Sequence, residues 1–148
     1  MSNNFSLQYE WREGSMPPPH YYEFTIRINS SLKCEIIFRP DYPSHNPPEW
    51  KEHFKVNRTD IDNLHRLMRE KDVFSKEWAV EDRIAEGGSY DWLDIQAEGG
   101  SFRIPSDIKD RTEIEEVYQF IKSLVPQKIW SDLHARRDKF EMEYYEER

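Results

Sequence analysis

Alternation of large apolar and polar side chains near the N-terminus constrains this chain more than any other feature. In residues 5–12, FSLQYEWR, the side chains of Phe5, Leu7, Tyr9 and Trp11 share one parity, and Ser6, Gln8, Glu10 and Arg12 share the other. Successive side chains of a strand point to opposite faces, so the run reads as a half-buried strand. Residues 22–28 repeat the pattern, with Tyr22, Phe24, Ile26 and Ile28 on one side and Tyr21, Glu23, Thr25 and Arg27 on the other. Residues 33–39 set Cys34, Ile36 and Phe38 against Lys33, Glu35 and Arg39, after a turn at Asn29-Ser30-Ser31. Three such strands in succession predict an antiparallel meander with one apolar face and an outward Tyr21.

Prolines punctuate the pattern. GSMPPP, residues 14–19, separates the first two strands, because proline lacks the N–H that a ladder needs and holds the backbone extended. Pro18-Pro19-His20-Tyr21 also spells a proline-proline-x-tyrosine docking peptide. Wedged between two strands, it reads chiefly as architecture. RPDYPSHNPPEW holds Pro40, Pro43, Pro47 and Pro48 and predicts a long, stiff loop, with Trp50–Val56 returning as a fourth strand.

The rest of the chain changes period. Thr59-x-x-Asp62 is placed at a helix N-terminus, followed by the stripe Ile61, Leu64, Leu67 and Met68 and ending near Lys71. Residues 72–86 show no clean period and read as a loop, a short helix being the alternative. EGGSY at 86–90 is echoed by EGGSF at 98–102, which predicts a strand Tyr90–Ala97, a turn at Glu98-Gly99-Gly100, and a strand Phe102–Ile104. Thr112-x-x-Glu115 predicts a capping box for a helix whose apolar positions are Ile114, Val117, Tyr118, Ile121, Leu124 and Val125. Pro126 breaks or kinks it, and a third helix carries Ile129, Trp130, Leu133, Phe140 and Tyr144, its acidic C-terminal turns opposing the macrodipole and predicted to fray. The expected fold is a single α+β domain over residues 1–148. One antiparallel sheet of four to six strands, an N-terminal meander plus a later hairpin, carries two or three helices packed mainly on one face. Residues 127–148 form a C-terminal helix that frays or contacts a partner.

Composition narrows the function classes. The 148-residue chain is 14% aromatic, with five Trp, which disordered chains do not carry. Its formal net charge of −8 repels a phosphate backbone, and no segregated basic face is obvious in the sequence; the HARRDK cluster reads as one face of a solvated helix. No nucleic acid is therefore expected as a partner. The single Cys34, with no secretory segment or apolar run of membrane-spanning length, leads to the expectation of a cytoplasmic protein with no membrane partner.

Catalytic constellations do not assemble from spacing. Asp91 and Asp94 have opposite parity and point to opposite faces of a strand; Glu113, Glu115 and Glu116 suit the positive end of a helix. His20, His45, His53, His65 and His134 follow no metal-ligand spacing, His65 and His134 are placed on helix surfaces, and no metal or cofactor is expected. Ser89 and Ser101 precede strands rather than sitting in a nucleophile elbow, Cys34 points into the core as an inert thiol, and no Gly-rich phosphate loop is present. What remains is a partner-binding surface on the proline loops, formed by His20, Tyr21, Tyr42, His45 and Trp50, because rings on stiff backbone lose little entropy on binding. An equal reading folds these rings back to staple the loops to the sheet. The leading expectation is a non-catalytic protein-interaction module with another protein as partner; the rival is an enzyme, a hydrolase among the options, using His20, His45 or His53 from distant segments.

YEWREGSMPPPHYYEFTIRI, RPDYP, EGGSYDWL and LVPQKIW together resemble an uncharacterised family of small bacterial proteins over most of the chain. DIDNLHRLMREKDVF, followed by YDWLDIQAEGGSFRIP and a helix, is similar in element order and hydrophobic pattern to the emfourin-type inhibitors. That similarity implies inhibition of a thermolysin-like metalloprotease.

Overall fold

A computed structural model describes residues 4–80 and 88–146. The N-terminal meander consists of β1 (Ser6–Arg12), β2 (Glu23–Asn29) and β3 (Lys33–Arg39), and β4 (Trp50–Lys55) adds to its outer edge. Helix α1 (Arg58–Glu70) then carries the chain to the other side of β1, where β5 (Tyr90–Ala97) and β6 (Gly100–Ile104) form a hairpin. The six strands lie in the order β4-β3-β2-β1-β5-β6 with every neighbouring pair antiparallel. Two helices close the chain, α2 (Thr112–Leu124) and α3 (Gln127–Glu146). This is an α+β fold built on one sheet.

The alternation sets the register. Tyr9 lies opposite Ile26 on one side and Leu93 on the other, and Ile26 lies opposite Ile36. All four are fully buried, together with Ile61, Leu64 and Met68 of α1 and Ile114, Val117, Tyr118 and Ile121 of α2. Burying one such aliphatic side chain contributes about 2 kcal/mol. A slip of one residue in β1 would turn Leu7 and Tyr9 to the opposite face, so the register is strongly specified. Helix α3 contributes Leu133 alone to the fully buried set and lies over a row of rings. In that row Trp11 stacks on Phe24, Tyr22 on Phe38 and Phe38 on Trp50, with ring centroids 5.2, 5.2 and 5.8 Å apart.

Several local expectations are corrected. The cap of α1 is Asn57, whose side chain accepts the Asp60 N–H at 2.7 Å while the Asp60 carboxylate accepts the Asn57 N–H at 3.3 Å. This reciprocal box lies two residues before the pair Thr59 and Asp62. At α2, the Asp110 carboxylate accepts both the N–H and the hydroxyl of Thr112, at 3.0 and 2.6 Å. An ionised acceptor outcompetes a hydroxyl, so Thr112 donates rather than caps, and the expected box with Glu115 does not form. Pro126 breaks the helix pair: α2 ends at Leu124 and Val125 is extended. The turn between β5 and β6 is shorter than expected, with Glu98 and Gly99 at φ of 53° and 77° and Gly100 already paired with Ala97. A Cβ on Gly100 would meet the Phe102 ring at 3.2 Å.

Residues 72–80 contain no helix; Phe74 packs on His65 and Phe102, and Val80 bridges to Ile108. Residues 81–86, the remainder of that segment, lie outside the described residues, as does Gly87 of the first glycine echo. His65 is buried, not on a helix surface: its ring contacts Phe5 and Phe74, and its Nε2 stands 2.9 Å from Glu98 Oε2. Tyr21 is also buried rather than outward.

Candidate functional site

Among the described residues no helix covers the second face of the sheet, yet its centre is not plain solvent-facing surface. Cross-strand register places Arg12, Glu23 and Arg39 in one row and Glu10, Thr25 and Ile37 in the next. Glu23 is 1% exposed, and its carboxylate is paired with both Arg12 and Arg39. It also accepts the Tyr21 hydroxyl at 2.9 Å. Beside it, Glu10 accepts the Thr25 hydroxyl at 2.9 Å and a Gln8 amide N–H at 2.9 Å. A buried carboxylate is tolerated only with such charge-assisted partners. Burial, followed by the neighbouring Glu23 carboxylate that accepts its hydrogen bond, pushes the Tyr21 phenol far above its ordinary range, so it keeps its proton and stays a donor.

This network anchors the two proline loops. The Tyr21 and Tyr42 rings stack with centroids 3.8 Å apart, and the Tyr42 hydroxyl donates to the Met16 carbonyl at 2.5 Å. Asp41, 4% exposed, accepts the Tyr42 N–H at 2.7 Å and stands 3.1 Å from His45 Nδ1. The His20 N–H bonds back to the Pro17 carbonyl at 2.9 Å, so the triple-proline segment is a tight turn rather than a free extended ligand. The two loops thus form one platform, with Met16, Pro17, Pro43, His45 and Pro48 exposed on it.

The five residues expected to form one patch divide into two groups. Tyr21, Tyr42 and His45 come together in the platform, with the two tyrosines as anchors beneath it. His20 and Trp50 turn to the helical side, where Trp50 lies between Phe38 and Phe140. His20 Nε2 stands 2.9 Å from the Tyr145 hydroxyl and Nδ1 3.5 Å from Glu141, while Arg137 donates to the His20 carbonyl at 3.0 Å. Of the histidines named as acid-base candidates, His20 therefore faces α3, His45 faces Asp41, and His53 sits opposite Glu35 on β4.

Beyond the platform, the second face is crossed by charged side chains. Strand parity places on it Arg12 of β1, Arg27 of β2, Lys33 and Arg39 of β3, Lys51 and Lys55 of β4, and Arg103 of β6; its carboxylates are Glu10, Glu23, Glu35 and Asp94. A basin of about 560 Å³ opens between β2, β1, β5 and β6, with Gln8, Arg27, Asp94, Gln96, Ser101 and Arg103 among its lining residues. Sequence reasoning missed this surface. The signal was available in the cations of the polar parity, but adding them up requires the strand order.

A buried polar cluster on the helical side was missed as well. Asp91 accepts the Tyr9 hydroxyl at 2.7 Å and lies 2.6 Å from Arg111 Nη1, and the Arg111 guanidinium lies over the Tyr118 ring at 5.5 Å. Burial first, and Asp91 second, push the phenols of Tyr9 and Tyr118 far above their ordinary range. Asp91 and Asp94 do point to opposite faces, Asp91 to this cluster and Asp94 to the basin. Among the described residues no group of three or more His, Cys, Asp or Glu side chains is placed to hold a metal ion, and no helix is long and apolar enough to cross a membrane. Compared with known proteins, the chain matches no family model and no curated protein.

Proposed function

We propose that the protein is a non-catalytic protein-interaction module whose contact surface is the platform made by its two proline loops. The observation that carries this reading is the Tyr21–Tyr42 stack together with the Tyr42–Met16 bond. These contacts hold two otherwise separate loops in one shape before any partner arrives. A surface ordered in advance avoids most of the conformational entropy that binding otherwise costs. The aromatic residues act as the frame, and the exposed Met16, Pro17, Pro43 and His45 supply the contact. The separate engagement of His20, His45 and His53 supports a binding role over a shared acid-base site.

The test is a pull-down from lysate of the native host, with wild type and a Met16→Glu/His45→Glu variant as baits and captured proteins read by mass spectrometry. Both substituted side chains are exposed, but His45→Glu removes the contact with the buried Asp41, so thermal unfolding of the variant checks that it folds before capture is compared. The expected result is one partner retained by wild type and lost by the folded variant. Equal capture by both, or no specific capture by wild type, overturns the platform as the contact surface.

A further inference from the structure

The charge of the open sheet face runs against that of the whole chain. Seven lysine and arginine side chains face four strand carboxylates there, with Glu49 reaching Arg39 from the loop before β4, on a chain of net charge −8. Depth sharpens the contrast. The Glu10, Glu23 and Glu35 side chains are only 9%, 1% and 23% exposed and Asp94 is 46% exposed beside Arg103, whereas those of Arg27, Lys51 and Arg103 are 47%, 51% and 63% exposed. What an approaching molecule meets is therefore mainly cationic. Ile37, the aliphatic side chain at the centre of this face, is 5% exposed, so no aliphatic patch is offered there.

We infer that this face, centred on the basin between β2, β1, β5 and β6, docks an extended acidic segment of a partner protein. The inference rests on the interaction-module reading and adds a second surface with a stated partner chemistry. Arg27 bonds Gln8 through Nε and approaches Glu35 through Nη1, and Arg103 approaches Asp94 through Nε. A guanidinium has five N–H donors, so each arginine retains donors for a bidentate carboxylate. The Gln8 and Gln96 amides and the Ser101 hydroxyl line the same basin and suit the main chain of an extended peptide. A nucleic acid fits less well. Its uninterrupted negative charge would lie across Asp94 and Glu35 and be repelled by the field of the whole chain, whereas a peptide can place its carboxylates at the arginines alone.

The experiment is fluorescence anisotropy of a labelled Glu/Ser peptide with the full chain at physiological salt, with a Lys/Ser peptide and a single-stranded DNA oligonucleotide as comparators. Arg27→Glu/Arg103→Glu is compared with Lys128→Glu/Lys139→Glu, which makes the same charge change on α3. The expected result is saturable binding of the Glu/Ser peptide, weakened about tenfold or more by the basin variant and little by the α3 variant. Circular dichroism checks the fold, and Arg27→Gln/Arg103→Gln replaces the basin variant if the charge reversals unfold it. Absence of Glu/Ser binding, equal weakening by both variants, or tighter binding of DNA each overturns the inference. Light scattering that shows a dimer abolished by the basin substitutions assigns the face to a second copy instead and also overturns it. The peptide assay reads the basin and the lysate capture reads the platform, so the two proposals fail separately.

Discussion

Glu23 shows how much of a residue's role is set by its neighbours. Alternation assigns it to the polar face, where a glutamate ordinarily sits in water, but the register places Arg12 and Arg39 on either side and Tyr21 above. Glu23→Ala would leave Arg12 to Glu10 alone, Arg39 to Glu49 alone and the Tyr21 phenol without its acceptor, and is expected to cost about 2 kcal/mol, read from the urea unfolding midpoint. Tyr42→Phe keeps the stack on Tyr21 and removes only the bond to Met16, so its expected cost is about 1 kcal/mol. A larger loss for Tyr42→Phe than for Glu23→Ala would show that the loops, rather than the ion network, hold this end of the sheet. Cys34 behaves as its parity indicates. It is 2% exposed, and burial raises its thiol above the ordinary range. A thiol-reactive probe should leave it untouched in the folded protein and label it after denaturation.

At the scale of elements, the strands and helices were legible because each is written in a local period. Three of the meander's features, its β1, β2 and β3 runs, follow directly from alternation, and Pro126 separates α2 from α3 by its missing N–H. The caps were less legible, because several short polar residues near a helix start compete for the same orphan N–H groups. Asn57 and Asp110 win for a physical reason: each stands just before the helix, where its side chain reaches forward to accept a backbone N–H of the first turn. Asp110→Ala is therefore expected to lower the melting temperature more than Thr112→Val. Asn57→Ala should destabilise by about 1 kcal/mol, measured by thermal or urea unfolding. Equal effects of the two changes at α2 would return the cap to Thr112.

At the scale of the whole molecule, α3 is held to the sheet by rings and a few polar contacts rather than by a deep apolar stripe. His134 sits among Tyr22, Phe38 and Trp130, near Arg137 and Asp138. Partial burial against these rings, and then Arg137, hold its imidazole below the ordinary value, which favours the neutral ring in the folded state. Between the two values the unfolded chain binds the proton and the folded one does not, so this contribution to stability is complete above about pH 6.5 and is lost as the pH falls through the folded value. Urea unfolding across that window should show the loss in wild type and a flatter profile in His134→Phe; identical profiles would remove His134 as the cause. The alternating runs, the helical stripes and the apolar face were determined by the sequence itself, since periods of two and 3.6 residues are local properties of the chain. Only the tertiary structure decided that Arg12, Glu23 and Arg39 share a row, that Tyr21 stacks on Tyr42, and that the cations of the polar parity gather on one open face. Those meetings depend on strand order and on how the proline loops return, and no local period carries that information.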